Sequence, residues 1–218
     1  MRSIKQAGVL RIAADLSYPP LAFREGQVPR GFEVDLAALL ASSLGVRLEV
    51  RDTPLALLAQ GLAGADMVIG LPQTAAPQGL ASEPFYTMTQ AILWRAGAAP
   101  PGVPPLRHVR VAVQAKSVGE TVAEQMGAGP ILLTYRPGEA LAIVSRGEAQ
   151  AAVADLPLVV EYQRTHRHLN ATMGPWAPTP LVVLVRADAP DLLAFTSAAI
   201  GELKQNGGLA QLRQRWHL

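Results

Sequence analysis

Cysteine is absent from all 218 residues, which excludes disulfides and thiolate metal sites. That absence fits an exported chain that manages without bridges as well as it fits a cytosolic one. Aromatic residues make up only 5% of the chain, so large stacking surfaces are excluded and the core must be filled mainly by Ala, Leu and Val. No Lys/Arg-rich run occurs and the formal net charge is only +2, so the electrostatic footprint of a nucleic-acid binder is missing. No apolar run approaches the length that spans a bilayer, and Met1-Arg-Ser-Ile-Lys-Gln-Ala7 lacks the apolar core of a secretory signal. The expectation is a soluble chain from which a signal or lipoprotein leader has been removed.

The signatures of common chemistries are missing too. There is no Gly-x-Ser-x-Gly elbow, no phosphate-cradling glycine loop with a lysine, and no helix carrying paired histidines. Of the four histidines, at 108, 166, 168 and 217, His166 and His168 could share a strand face. No third ligand stands near them, so neither a metal nor any other cofactor is expected.

What the chain does have is punctuation, with 19 glycines and 18 prolines, and a half-hydrophobic composition large enough to fold on its own. Short β-rich runs read as strands at Val9–Ala14, Arg47–Arg51, Met67–Gly70, Ala91–Arg95, Arg110–Val113, Ile131–Tyr135, Ala151–Ala154 and Leu181–Arg186. Between them, Leu36, Leu39, Leu40 and Leu44 recur at helical spacing behind Glu33 and Asp35, acids that suit the positive end of a helix dipole. Thr53-Pro54 reads as a cap followed by proline at the first helical position, and Ser117-Val-Gly-Glu120 as a capping box. Asp191 to Gln205 is expected to be a helix, stopped by Asn206-Gly-Gly208, with a last short helix through Leu212 to Trp216. The fold class is α/β, with mostly parallel strands.

Two discontinuities divide this alternation. Ala96-Gly-Ala-Ala-Pro-Pro-Gly-Val-Pro-Pro105 is too rich in Pro and Gly for regular structure, and Pro175-Trp-Ala-Pro-Thr-Pro180 precedes another strand. If the chain crosses between lobes at both, residues 1–95 and 181–218 form one lobe and residues 96–180 an inserted second one. The expected ligand site is the cleft between such lobes.

The opening third supplies one wall of that cleft: the strand Leu10-Arg-Ile-Ala-Ala14, then Asp15-Leu-Ser-Tyr-Pro-Pro20, then Gly31-Phe-Glu-Val-Asp-Leu36 opening a helix. With Ala65-Asp-Met-Val-Ile-Gly70, Ser82-Glu-Pro-Phe-Tyr86, Val111-Ala-Val-Gln-Ala-Lys-Ser117, Ala152-Val-Ala-Asp155 and Leu209 through Trp216, this order of motifs resembles the family 3 extracellular solute-binding proteins of ABC importers. The likeness runs nearly end to end. It implies a two-lobed periplasmic-binding-protein fold of type II, a periplasmic or extracellular location, and hinge closure near Arg95 and Pro180. It also implies a small polar solute and an importer's membrane permease as partners, no enzymatic activity, and a monomer.

Carried across residue by residue, the resemblance implies ligand contacts from Asp15 and Tyr18, from the backbone at Gly70 and Leu71, and from Gln114, Ser117 and Asp155. The chemistry suits these choices. Tyr18 offers an apolar face and a hydroxyl. Ser117 opens a helix whose free N–H groups favour an anionic or carbonyl oxygen. Asp155, at the end of an apolar strand, can pair with an ammonium or simply cap the helix that follows.

Two departures narrow the ligand. Amino-acid binders of the family carry an arginine after the glycine strand that grips the α-carboxylate, whereas Leu71-Pro-Gln-Thr-Ala-Ala-Pro-Gln78 has no basic residue. Near Thr53-Pro54-Leu55 the family's stacking aromatic is replaced by Pro54 or Leu55. With Asp15 and Asp155 retained, the balance points to a cationic or neutral polar ligand, not an ordinary α-amino acid, and Lys116 is the nearby basic residue. Two other readings stay open: a sensor or periplasmic accessory protein of the quinoprotein-dehydrogenase type whose pocket has degenerated, and a cyclohexadienyl dehydratase-like enzyme.

Overall fold

The computed structural model describes residues 1–75, 79–95, 97, 106–136 and 138–218. The Pro/Gly-rich boundary expected over 96–105 lies outside the described residues apart from Gly97, as do residues 76–78 of the segment without a basic side chain. The chain begins with α1 (Arg2–Ala7), β1 (Val9–Ala14), the short strands β2 (Ser17–Tyr18), β3 (Ala22–Glu25) and β4 (Val28–Arg30), then α2 (Phe32–Leu44) and β5 (Arg47–Asp52). It continues through α3 (Leu55–Leu58), β6 (Met67–Pro72), β7 (Gly79–Ala81), β8 (Tyr86–Trp94), β9 (Val111–Gln114), α4 (Val118–Gln125) and β10 (Ile131–Thr134). Last come α5 (Glu139–Ser145), β11 (Ala151–Asp155), α6 (Leu156–Thr165), β12 (Asn170–Arg186), α7 (Pro190–Gln205) and α8 (Gly208–Trp216).

These elements form two compact units, Met1–Thr87 with Thr179–Leu218, and Met88–Pro178. The chain passes from one to the other inside β8 and returns inside β12.

In the first unit β1 is the central parallel strand. It pairs in parallel with β5 from Val9↔Arg47 to Ala14↔Asp52 and with β6 at Ile12↔Met67, while the end of β12 runs antiparallel to β6 and β7. All but one residue of β1 is buried, as expected of a strand covered on both faces. Phe32, Leu36, Leu40 and Leu44 fall at four-residue spacing on α2, and all four are buried. The helix opens on Gly31 at φ +124, where a Cβ would stand 2.2 Å from the Leu21 carbonyl oxygen. Only glycine fits that approach. A second, three-stranded antiparallel sheet of β2, β3 and β4 carries Tyr18 opposite Ala22, so the expected loop around Tyr18 is in part a strand. Ala13, Leu58, Val68, Leu71, Val182 and Leu184 share one core cluster.

In the second unit β9 lies between β10 and β11, parallel to both, and β11 pairs antiparallel with β8 from Ala151↔Trp94 to Asp155↔Gln90. Ile92, Trp94, Val111, Val113, Val122 and Val153 form its core, and the Trp94 indole N–H donates to the Thr172 hydroxyl at 2.9 Å.

Three local expectations are corrected. Pro175 to Pro180 is strand, not a break, because proline's φ suits extended backbone and costs only a donor; Ala177 at φ +45 marks the one irregular residue. Thr53 does not cap α3: its hydroxyl donates to the Arg51 carbonyl, and Pro54 takes the N-cap position. His166 is the C-cap of α6 and His168 follows in a turn, so they do not share a strand face; the His166 ring stacks on Tyr162 with centroids 3.9 Å apart.

Candidate functional site

In open α/β sheets, ligands are met at the carboxyl ends of parallel strands. In the first unit those ends place the Asp15–Tyr18 segment after β1, the Thr53–Leu55 segment after β5, and Gly70–Pro72 at the end of β6. Asp15 organises the first two. Its Oδ1 accepts from the Ser17 backbone N–H at 3.0 Å and the Ser17 hydroxyl at 2.6 Å, and its Oδ2 accepts from the Leu55 N–H at 2.7 Å. The carboxylate therefore supplies the cap that Thr53 does not, with no cation paired to it among the described residues. Asp52 beside it is neutralised by Arg24, whose Nε donates at 3.1 Å.

Glu33 was expected to serve the helix dipole. It does stand in the first turn of α2, but it is only 5% exposed, and its carboxyl has no hydrogen-bond or ion-pair partner among the described residues. Both carboxyl oxygens lie against Gly70, where a Cβ would come within 2.6 Å of each. Gly70 also sits at φ +90. The glycine leaves room for the carboxyl of Glu33, and the Leu71 side chain turns into the core, so the β6 end offers backbone alone. Burial first, and then the negative charge of Asp15, push the Glu33 carboxyl up from an ordinary 4.5 to about 8.

In the second unit the ends of β9 and β11 carry the remaining candidates. Gln114 closes β9, and its carbonyl accepts from the Ser117 N–H at 3.3 Å. Ser117 is the N-cap of α4 and accepts from the Glu120 N–H at 3.2 Å, as the capping-box spacing predicts, while Glu120 reaches back one residue further than that motif, to the N–H of Lys116. Lys116 adopts φ +61 to make that turn. Asp155 is the residue before α6, yet its side chain makes no capping bond there. Instead its Oδ1 accepts from the side-chain amide of Gln90, the residue directly opposite on β8.

Thus Asp15 and the Gly70–Leu71 backbone share the strand ends of the first unit with Tyr18, and Gln114, Ser117 and Asp155 share those of the second. Sequence reasoning missed Gln90 and gave Glu33 another role. Gln90 is 1% exposed, and its Oε1 is a fully buried oxygen with no partner. The signal for it was available: a glutamine that opens the apolar run Ala91–Trp94 is costly to bury unless something polar faces it. Among the described residues no cluster of His, Cys, Asp and Glu could hold a metal ion. No described helix is long and apolar enough to cross a membrane.

Residues 10–218 match the model of the bacterial extracellular solute-binding proteins, family 3, and the chain belongs to that family. It is 26% identical over 238 residues to the membrane-bound lytic murein transglycosylase F of Photobacterium profundum, covering 99% of this chain but 45% of that protein. It is 27% identical over 220 residues to the probable ABC transporter arginine-binding protein of Chlamydia trachomatis, covering 95% of this chain and 85% of that one. The chain thus spans about half the length of the first relative and most of the second. Among solved structures, an ancestral cationic amino acid solute-binding protein superposes with a TM-score of 0.87 at 26% identity, over 99% of this chain and 98% of that one. A second structure, described as a precursor of cyclohexadienyl dehydratase, gives 0.83 at 26% identity over 99% and 97%. The mixed α/β architecture is accordingly that of the type II periplasmic binding proteins.

Proposed function

We propose that this family 3 solute-binding protein captures a small organic cation and passes it to the membrane permease of an ABC importer. One observation carries the reading: at the strand ends of the first unit, Asp15 and Glu33 present carboxyl groups that no cation among the described residues neutralises. A half-exposed and a buried acid that lack a cation at a ligand site favour an ammonium or guanidinium over a neutral or anionic solute. Two relatives whose names specify arginine or cationic amino acids lend support.

The ligand need not carry an α-carboxylate. Between Asp52 and Trp94 the chain has no Lys, Arg or His, so a guanidinium from that segment is not available to grip one. The proposal therefore favours amines and guanidines over standard amino acids. The test is a thermal-shift panel of agmatine, putrescine, L-arginine, L-glutamine and L-glutamate, followed by calorimetry. Agmatine is expected to raise the melting temperature at least as much as L-arginine, since ligand at 1,000-fold excess over Kd adds about 4 kcal/mol. Arginine binding a hundredfold tighter than agmatine would sink the exclusion of amino acids. Binding of only L-glutamine or L-glutamate would sink the cation reading itself.

A second reading has one observation in its favour. A carboxyl raised to about 8 keeps its proton at neutral pH, as a general acid must. Dehydration of a cyclic carboxylate would also need a cation for that carboxylate, which is why binding is preferred. Incubation with prephenate and absorbance detection of an aromatic product separates the two.

A further inference from the structure

The Glu33 carboxyl is unusual in what surrounds it. It sits at the carboxyl end of β6, pressed on Gly70, buried, with no donor. The charges on the elements packed against α2 are already committed. From β1 and β5, Arg11 and Arg51 both face Glu49, and Asp52 holds Arg24 of β3. Arg30 of β4 pairs with Glu25 of β3. From α8, Arg215 pairs with Asp35 on α2 itself, and Arg213 lies over the Tyr86 ring and donates to the Phe85 carbonyl. Arg47 at the start of β5 is exposed, and β6 carries no titratable side chain. Asp15 is the charge that acts on Glu33, and it is of the same sign.

We propose that Glu33 selects the ligand's charge by exchanging its own proton for it: neutral in the empty protein, it ionises as a cation docks beside Asp15, so that each capture releases one proton. The inference rests on the cation reading above. Asp15 follows the stretch of β1 that pairs with β6, and Glu33 lies on Gly70 of β6; buried beside that like charge, the Glu33 carboxyl does not ionise without a positive charge next to it, and none of the described residues supplies one. The proton thus holds the place of the ligand. Glu33 as a residue is only 5% exposed, so the proton it holds is little screened by solvent. Because burial and Asp15 raise the carboxyl to about 8, the exchange falls within the physiological range of pH. A neutral solute has nothing to offer in return for the proton, so it binds without releasing one.

The test is calorimetric titration of the intact protein with agmatine and with L-arginine near pH 7, in phosphate and in Tris, which differ in ionisation enthalpy. The observed heat is expected to shift between buffers by the equivalent of close to one proton released per ligand bound. As pH is raised toward 8, affinity is expected to increase about tenfold per pH unit, and to level off above it. Glu33→Gln is expected to bind with no buffer dependence and, at pH 8, at least tenfold more weakly. A probe that binds the wild type with the same heat in both buffers overturns the exchange and leaves the cation reading standing. Proton release that persists in Glu33→Gln overturns it as well, by assigning the proton to another group. Failure of both probes to bind at any pH overturns the cation reading and the exchange together.

Discussion

In the first unit the Glu33 carboxyl lies on Gly70 without a donor; in the second, the Asp155 carboxylate takes the side-chain amide of Gln90 from the neighbouring strand. Asp155 ends β11 and Glu33 opens α2 against β6, and each is set in place by a residue on a neighbouring strand. The means differ. Gly70 works by leaving a space, and desolvation then keeps the acid neutral. Gln90 works by donating a bond. One carboxyl meets no donor among the described residues and the other meets an amide. A carboxylate's residue type therefore says little about its role until its donors are counted.

The sharpest way to break this comparison is to fill the space. Gly70→Ala sets a Cβ against both Glu33 oxygens at a φ that alanine rarely adopts, and is expected to cost on the order of 4 kcal/mol in urea unfolding. Adding Glu33→Ala should recover part of that loss, which a double-mutant cycle would show as coupling between the two sites. Simple additivity would mean that the backbone conformation, not the carboxyl, makes Gly70 necessary.

The next effect is read against pH. The folded-state value of about 8 lies above the ordinary 4.5, so between those values the folded protein keeps a proton that the unfolded chain has released. Stability is therefore expected to fall as pH rises from about 4.5 to about 8 and to flatten above that. Glu33→Gln removes this slope, and the wild type should lose on the order of 4 kcal/mol relative to the variant between pH 5 and pH 9. Parallel curves for the two proteins would show that Glu33 is ionised in the fold.

In the second unit the same logic predicts smaller effects. Gln90→Leu deletes the donor to Asp155 but also the unpartnered Oε1, so the two terms offset and a net loss of about 1.5 kcal/mol is expected in chemical denaturation. Ser117→Ala removes the cap on α4 and should cost about 1 kcal/mol in the same measurement. If Ser117→Ala proved costlier than Gln90→Leu, the amide would not be what holds Asp155.

The strands were largely legible because they follow period and composition. Val9–Ala14 and Ile131 onward are apolar runs bounded by turn residues, and they fold as such. The capping box at Ser117 was legible because both of its partners lie within one turn of chain. What escaped depends on residues far apart in sequence. The Thr53 cap failed because Asp15, from a different strand end, reached the Leu55 N–H first. Gln90 meets Asp155 only through strand pairing, which no local pattern announces. The helix-start position of Glu33 was readable, but its environment was not, because that is made by Gly70 across the sheet. The prolines at 175, 178 and 180 misled in the other direction, since a break in propensity is not a break in a strand whose φ they already match.

The fit of Glu33 against Gly70 also has a consequence for descent. A carboxyl of that length and a bare α-carbon opposite it form a single unit of inheritance. A lineage that acquires any side chain at position 70 must first shorten or lose the acid at 33, while a lineage that has lost the acid still meets the φ of +90 that favours glycine there. Across homologues the two positions should change together, in that order, although they lie on different elements and nothing in the intervening sequence ties one to the other.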